Sequence, residues 1–183
     1  DPSEVPEGVK LGDVLEHAQQ VIRGGLVAMY SEDGIRWNVY DKRVETPACD
    51  TENVAIWDER LQKYVGYVRM IPDVDGVKYR SVGRLVSDDF QNWSAPESIL
   101  EADEIDLGAR KRHDTSNSID IYTNGFMKYP YAEDAYFLMP SYYYHWDPDS
   151  GPRTLDVRLL TSRDGIDWRP AGARSAFLRL GQW

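Results

Sequence analysis

The chain has 183 residues, of which 42% are hydrophobic, and a net charge of −10, so it is long enough for one domain with a sizeable core. The acidic balance predicts that neither nucleic acid nor an anionic membrane is a partner, because both are bound by clustered Lys and Arg. A single cysteine, Cys49, excludes an internal disulfide and a thiolate zinc cluster, and the three histidines share no ligand spacing. We therefore predict no metal site and no cofactor.

The first part of the chain, residues 1–24, shows little strand pattern. It is predicted to be an irregular lead-in with a short helix over Leu11–Ile22. From residue 25 onward, apolar runs of strand length alternate with turn-forming residues, which predicts an all-β domain at 25–183.

A short phrase that begins with Ser and ends with Trp returns three times after an apolar run. Its copies are Ser31-Glu-Asp-Gly-Ile-Arg-Trp37, Ser87-Asp-Asp-Phe-Gln-Asn-Trp93 and Ser162-Arg-Asp-Gly-Ile-Asp-Trp168. Gly permits a tight turn, Ser and Asp can hydrogen-bond turn amides, and Trp is expected to pack between neighbouring units. We predict a structural role for the phrase, because a catalytic role for its Asp would have to recur in all three copies.

The pattern between these phrases divides the domain into units of roughly the 40–50 residues usual for a propeller blade. In one unit, strands are predicted at Asp50–Trp57, Lys63–Ile71, Tyr79–Ser87 and Glu97–Leu100. In the next, they are predicted at Ser118–Lys128, Ala135–Tyr144, Thr154–Ser162 and Ser175–Leu180. The predicted organisation is a blade remnant at 25–48, a blade at 49–101 and a blade at 113–181.

The predicted fold is therefore all-β, with the four-stranded antiparallel blades of a β-propeller. Closed propellers typically have about four or more blades, whereas two to three are visible here. Two explanations stand: the chain is a piece of a longer protein, or an oligomer closes the ring between chains. The expected protein partners are accordingly the missing blades of the same chain or other copies of it.

A second phrase, Asp-Thr-x-Asn, opens the innermost strand of both complete units, as Asp50–Asn53 and Asp114–Asn117. Equivalent positions in adjacent blades would bring Asp50 and Asp114 to one mouth of the central channel. Paired carboxylates serve glycoside chemistry, one protonating the leaving oxygen and the other acting as nucleophile, base or charge stabiliser. Asp120, further along the same strand, is an alternative to Asp114. The phrase equally fits a structural turn in which Asp and Asn cap backbone amides.

Polar and aromatic side chains around this mouth are candidates for contact with a sugar, since aromatic rings can stack on sugar faces. They are Asn53, Trp57, His113, Asn117, Tyr122 and Tyr142, with Tyr143 and Trp146 beside them. The cluster at 142–146 also fits packing at a strand end. Three arginines on the second and third strands fit blade-to-blade ion pairs better than substrate contacts: Arg69, Arg80 and Arg84.

Four segments carry a family resemblance over roughly residues 25–180. They are Asp50-Thr-Glu-Asn-Val-Ala-Ile-Trp-Asp58, Lys63-Tyr-Val-Gly-Tyr-Val-Arg69, Gly83-Arg-Leu-Val-Ser-Asp-Asp-Phe-Gln-Asn-Trp93 and Ser162-Arg-Asp-Gly-Ile-Asp-Trp168. Their order resembles the blades of the five-bladed β-propeller glycoside hydrolases. That superfamily includes the invertase and fructosidase group and the arabinanase and xylosidase group.

The resemblance implies a carbohydrate substrate and an acidic residue in each of the first three blades. Asp50 would match the second-blade Asp, which stabilises the transition state or tunes the pKa of the acid. The third-blade general acid, normally Glu, would be Asp114 or Asp120. The first-blade Asp has no match and would lie upstream, so this chain alone is expected to be inactive. The alternative is a non-catalytic propeller that binds glycans or serves as a scaffold; for a polysaccharide-acting protein, a secreted or periplasmic location is expected.

Overall fold

The computed structural model describes residues 25–46, 49, 52–74, 77–106, 118–145 and 153–179. These residues form strands and turns, with one helical turn at 104–106, which confirms the all-β class. The helix predicted over Leu11–Ile22 lies outside the described residues. Within the described ranges, no helix is long and apolar enough to cross a bilayer.

The leading hairpin is formed by β1 (Leu26–Tyr30) and β2 (Asn38–Val44), which pair antiparallel. The first copy of the Ser-to-Trp phrase makes the turn between them. Val44 is buried against Val68 and Leu85 of the following sheet, with Leu26 packed beside them. The hairpin is thus joined to the next unit by apolar contact.

The first blade is a four-stranded antiparallel sheet in simple sequential order. Its strands are β3 (Val54–Asp58), β4 (Lys63–Met70), β7 (Ser81–Ser87) and β8 (Glu97–Leu100), and the short pair β5 (Asp73–Val74) and β6 (Val77–Lys78) lies between β4 and β7 in the chain. All four strands fall where the sequence predicts them. The middle of β4 is buried on both faces, and Val65 and Tyr67, two residues apart, point to the same side and lie in the buried core.

The second blade follows the same order but is divided into an inner and an outer sheet. In chain order its strands are β9 (Ser118–Thr123), β10 (Met127–Lys128), β11 (Tyr136–Leu138), β12 (Ser141–His145), β13 (Thr154–Val157), β14 (Leu160–Ser162) and β15 (Arg169–Pro170). The inner sheet has the order β13-β12-β9, and the outer sheet has the order β10-β11-β14-β15. Gly125, with a φ of +53°, and Pro140, which has no N–H, lie at the breaks.

The fourth strand of this blade differs from its prediction at Ser175–Leu180. The tight turn after β14 returns the chain directly alongside that strand, so Arg169 and Pro170 pair with it first. Further on, Leu178 forms an isolated bridge to Val157 of β13. The apolar residues near Leu178 resemble a strand in sequence, but the turn has already determined which residues pair with β14.

The main core lies between the two blades. Its buried members come from both sheets: Val65, Tyr67, Val82, Ile119, Ile121, Phe126, Tyr136, Leu138, Tyr142 and Leu160. The rings of Tyr67 and Phe126 stack with centroids 3.8 Å apart, and Trp168 meets both rings edge-on. The Trp of the third phrase therefore packs between the blades, as predicted.

The Ser-to-Trp phrases form turns of the same kind. In the first and third copies, Asp33 and Asp164 each accept backbone N–H bonds from the residues two and three positions on. Asp89 does the same for Gln91 and Asn92. These carboxylates are used to stabilise turns, which is the structural role predicted for them.

Replacing Asp89 by Ala is expected to lower the melting temperature at neutral pH and to have less effect in acid. The N–H groups of Asn92 and Gln91 hold the pKa of Asp89 at about 2, below its ordinary value of 3.8. A carboxylate with a lowered pKa in the fold stabilises it above the unfolded pKa, and this contribution is lost as pH falls through the folded pKa. The difference from wild type should persist down to about pH 4 and vanish near pH 2.

Thermal unfolding followed by circular dichroism from pH 7 to pH 2 measures this effect. Asp88→Ala is the matched control, because the neighbouring carboxylate is exposed and pairs with Lys63 at the surface. A loss in Asp89→Ala that is the same at pH 2 and pH 7 would contradict the assigned role.

Gly34 and Gly165 occupy equivalent turn positions, with φ values of +74° and +76°, yet their Ala variants should differ in stability. At Gly34 nothing lies within 4 Å of an added Cβ, so backbone strain alone costs about 1 kcal/mol. At Gly165 the added Cβ would lie 2.6 Å from the Tyr67 hydroxyl, which donates a hydrogen bond to the Gly165 carbonyl. We expect Gly165→Ala to cost about 2–3 kcal/mol in urea unfolding. Equal losses in the two variants would show that Tyr67 does not support this turn.

Candidate functional site

The candidate site is the end of the blades where β3 and β9 begin and where β4 and β12 end; we call this end the mouth. Antiparallel order brings the end of β4, the start of β7 and the start of β9 together there. The backbone joins the blades at this point, because the N–H of Ile121 donates to the carbonyl of Arg80 at 2.9 Å. The side chains at the mouth are therefore held by both blades.

Asp120 is the central acid of the mouth, and its residue is only 2% exposed. Its Oδ1 accepts the backbone N–H of Arg80 at 2.9 Å, and its Oδ2 accepts the Arg80 guanidinium at 2.6 Å. The Nε2 of His145 lies 2.8 Å from the same Oδ2. Strand pairing explains this contact. Asp120 lies opposite Tyr143 in the register of β9 and β12, and His145, two residues further along β12, points to the same face.

These contacts determine the charge of Asp120. Burial raises the pKa of Asp120, but hydrogen bonds from Arg80 and His145 outweigh burial and hold the pKa below its ordinary value. The carboxylate is therefore ionised at neutral pH. It can accept hydrogen bonds and stabilise positive charge, but it is a poor proton donor.

Tyr122 supplies an aromatic surface beside this acid. The guanidinium carbons of Arg69 and Arg80 lie 4.6 Å and 5.2 Å from the centre of its ring, and the Tyr143 ring is 5.7 Å away. Arg69 also donates to the Tyr122 carbonyl at 2.6 Å. Tyr143 meets His145 edge-on at 4.6 Å. Rings and cations are thus interleaved at the mouth.

Between the blades, just inside the mouth, the described side chains pack without space for a water molecule. Asn53 accepts the backbone N–H of Arg69 at 3.3 Å, and Asn124 donates to the carbonyl of Glu52 at 2.7 Å. The mouth is accordingly a packed surface within the described residues, where a ligand would bind on top of the side chains.

The predicted site residues divide into three groups. Asp50, Asp114, His113 and Asn117 lie outside the described residues. Asp120, Asn53 and Tyr122 lie at the mouth. Trp57 and Tyr142 lie elsewhere: Trp57 is near the opposite end of β3, about 13 Å from Asn53 by strand length, and Tyr142 is 3% exposed in the core beneath the Arg158 guanidinium.

The two side chains that bond Asp120, those of Arg80 and His145, differ in how well the sequence predicts them. Arg80 forms the blade-to-blade ion pair expected of it, with Asp120 as its partner. His145 was not among the predicted site residues, because it meets Asp120 through strand pairing at a separation of 25 residues. The sequence signal that could have identified His145 is its position at the end of the second strand of its blade, opposite the start of the first strand.

The described residues contain no group of three or more His, Cys, Asp and Glu side chains that could hold a metal ion. Asp106 and Asp58, the other buried acids, are each engaged by a cation. Arg158 bonds Asp106, and Lys128 bonds Asp58 at 3.0 Å. Among the described residues, the groups at the mouth include the ionised carboxylate of Asp120, the imidazole of His145, the guanidinium groups of Arg69 and Arg80, and tyrosine rings.

Comparison with known proteins adds a relationship of fold. No protein-family model matches the sequence, and no curated protein matches it. The chain is similar to a solved structure described as an N-acetylgalactosamine deacetylase from F. plautii in complex with blood group B trisaccharide, with a TM-score of 0.53 and 16% identity. The similarity covers 86% of this chain and 43% of that chain, so this chain spans less than half the length of its structural neighbour.

Proposed function

We propose that this chain is part of a carbohydrate-active protein and that a sugar binds at the mouth, over Tyr122, Tyr143 and His145. One observation carries the proposal: Asp120, buried and ionised, is fixed beside an imidazole and tyrosine rings at the start of an innermost strand. Sugars are bound by this combination, in which rings contact C–H faces and charged groups bond hydroxyls. The fold neighbour, a carbohydrate deacetylase in complex with a trisaccharide, supports the same ligand class.

The specific chemistry we propose for the whole protein is the cleavage of a glycosidic bond. A lowered pKa suits Asp120 to the role of charge stabiliser or hydrogen-bond acceptor and not to that of general acid. The proton donor would then be another acid, and Asp114 keeps that proposed role, with Asp50 as its partner across the channel. In a structure that includes both acids, the carboxyl groups of the catalytic pair should be about 5–10 Å apart.

A second candidate is a propeller that binds a glycan without cleaving it. The observation that favours it is the saturation of Asp120, which already receives hydrogen bonds from Arg80 and His145. The described side chains just inside the mouth also pack without room for a ligand between them. Both candidate functions predict that a sugar binds at the mouth, and they differ only in whether the protein cleaves it.

The sugar-binding claim is tested by titrating the 183-residue chain with neutral oligosaccharides of arabinose, xylose, fructose and galactose in a calorimeter. We expect at least one to bind, and His145→Ala or Asp120→Asn to weaken binding by about tenfold, the effect of losing one hydrogen bond to a charged group. Asp134→Asn is the control, because Asp134 forms an exposed pair with Arg163 just before β11, at the end of the blade opposite the mouth. Absence of binding to every oligosaccharide, or unchanged binding in both mouth variants, would refute the proposal.

Turnover separates the two candidates. Release of reducing sugar is measured with the same oligosaccharides, using the full-length protein and its Asp50→Asn variant. Release that the variant loses would support the glycosidase, and binding without release would support the glycan-binding propeller. Binding without release is expected for this chain alone, because the first-blade acid has no match in it.

We further propose that the outer face of the second blade is covered by more blades of a longer chain or by a second copy. Met127 on β10 and Leu155 on β13 remain 43% and 38% exposed. Apolar side chains in such a group usually lie at an interface. Analytical ultracentrifugation of the 183-residue chain distinguishes the two, since only the second copy gives a dimer.

A further inference from the structure

The end of the blades opposite the mouth carries a groove that the proposed function does not use. It lies between the end of β3 and the loop after β10, and its volume is about 730 Å³. Three aromatic side chains line it, and they are 38%, 40% and 85% exposed: Trp57, Tyr129 and Tyr131. We call this the aromatic groove.

Trp57 and Tyr129 of the aromatic groove pack against other rings before any ligand arrives, and Tyr131 lies beside Tyr129. Trp57 meets Tyr64 edge-on at 4.9 Å, and Tyr129 meets Tyr131 at 5.6 Å and Phe137 at 6.0 Å. The N–H of Tyr129 donates to the carbonyl of Ala135 at 2.8 Å, which closes the loop that carries Tyr131. Rings that are already ordered lose little conformational entropy when they bind a ligand.

The charges around the groove favour a neutral ligand. Glu59, Glu133, Arg60 and Lys128 line it, two acids against two bases. Lys128 bonds Asp58 at 3.0 Å and Glu59 at 2.8 Å. Arg60 donates to the Tyr136 hydroxyl at 3.0 Å and to the Asp164 carbonyl at 3.2 Å. Because both cations already have partners, an anionic ligand such as a phosphate would find no uncompensated positive charge.

We propose that the aromatic groove is a second binding site, and that its ligand is a segment of a neutral polysaccharide. Exposed aromatic rings can stack against the C–H faces of sugar rings, and the carboxylates of Glu59 and Glu133 can accept hydrogen bonds from hydroxyl groups. A purely apolar partner would leave these charged groups desolvated, which is unfavourable. Trp57, which the sequence places in a sugar-binding set with Asn53, belongs to this second surface. The site does not depend on the mouth, because the two lie at opposite ends of the blades.

Affinity electrophoresis in gels that contain soluble arabinan, xylan, inulin or galactan tests the site. We expect at least one of these polysaccharides to retard the wild-type chain. Trp57→Ala and Tyr131→Ala should each weaken the interaction by about fivefold, in the range of one aromatic stacking contact. Tyr131 is 85% exposed, so its substitution should leave the fold intact, with a melting temperature within about 2 °C of wild type.

The controls separate the groove from the mouth and from general loss of aromatic surface. Phe177→Ala removes a ring that is 56% exposed outside the groove, and it should bind as wild type does. Because His145 belongs to the mouth, Tyr131→Ala is also made in a His145→Ala background, where it should still weaken whatever retardation remains. The second site would be overturned if no polysaccharide retarded the wild-type chain, or if wild type, Trp57→Ala and Tyr131→Ala were retarded equally. The mouth proposal is tested separately, by the calorimetric titration.

Discussion

Asp58→Ala is expected to lower the free energy of unfolding by about 3–5 kcal/mol, the largest loss that we expect from a single substitution in this chain. Asp58 is 1% exposed at the turn between β3 and β4. It accepts hydrogen bonds from the Tyr136 hydroxyl at 2.6 Å, from Lys128 at 3.0 Å and from the Arg60 N–H at 3.0 Å. Its removal leaves a buried hydroxyl without its acceptor and weakens the contact between the blades.

The effect should also depend on pH. Burial raises the pKa of Asp58, but hydrogen bonds from Tyr136 and Lys128 outweigh it, so the pKa lies below its ordinary value. The stabilisation is therefore present above the unfolded pKa, near pH 4, and is lost as pH falls through the folded pKa. The gap between wild type and Asp58→Ala should narrow in acid.

Urea unfolding at pH 7 and at pH 3 measures both parts of this expectation. The control is Asp134→Ala, because the Asp134 side chain is 54% exposed and pairs with an exposed Arg163. Its loss should stay within about 0.5 kcal/mol. A loss below about 1 kcal/mol in Asp58→Ala at pH 7 would show that this turn does not join the blades.

Leu138→Ala is expected to cost about 2–5 kcal/mol, because a fully buried leucine leaves both its burial energy and a cavity behind. Leu138 is 0% exposed in the core cluster that contains residues of both blades, including Val65 and Tyr67. The same substitution at Leu178, which is 59% exposed, should cost less than about 1 kcal/mol.

The number of unfolding transitions shows whether the two blades are stabilised by one shared core. A shared core should give a single transition for Leu138→Ala at lower urea, with β-sheet signal and Trp fluorescence changing together. Two separated transitions, or a loss no greater than that of Leu178→Ala, would mean that the blades are stabilised independently.

The first blade could be predicted closely from sequence because its strands are apolar-rich runs of strand length separated by turn-forming residues. The run from Lys63 to Met70 has strand period, and the flanking turns contain residues that favour turns. The second blade was predicted less well. Its strands break near Gly125 and Pro140, and the fourth strand begins directly after Trp168, where the sequence has no strand pattern.

The candidate site shows a different limit. Local pattern identifies Asp120 and Tyr122, which stand on one strand, as residues near an expected channel. The partners of Asp120 come from other strands, Arg80 at 40 residues and His145 at 25 residues in sequence, so only the pairing register reveals them. The lowered pKa of Asp120 depends on those partners, and its role as an ionised acceptor could not be read from the phrase that contains Asp114.

The aromatic groove illustrates the same point for binding surfaces. In sequence, Trp57 belongs with Asn53, because both stand on the first strand of the blade. The extended strand places them about 13 Å apart, and the loop after β10 brings Tyr129 and Tyr131 to the Trp57 end. One strand therefore contributes to two surfaces.

The central claim, a sugar bound at the mouth, is tested most directly by a crystal structure of the chain with the tightest-binding neutral oligosaccharide. We predict a sugar ring against Tyr122 or Tyr143, with a hydroxyl about 2.7–3.2 Å from His145 or Asp120. A structure in which the oligosaccharide occupies another surface, and the mouth holds none, would contradict the claim.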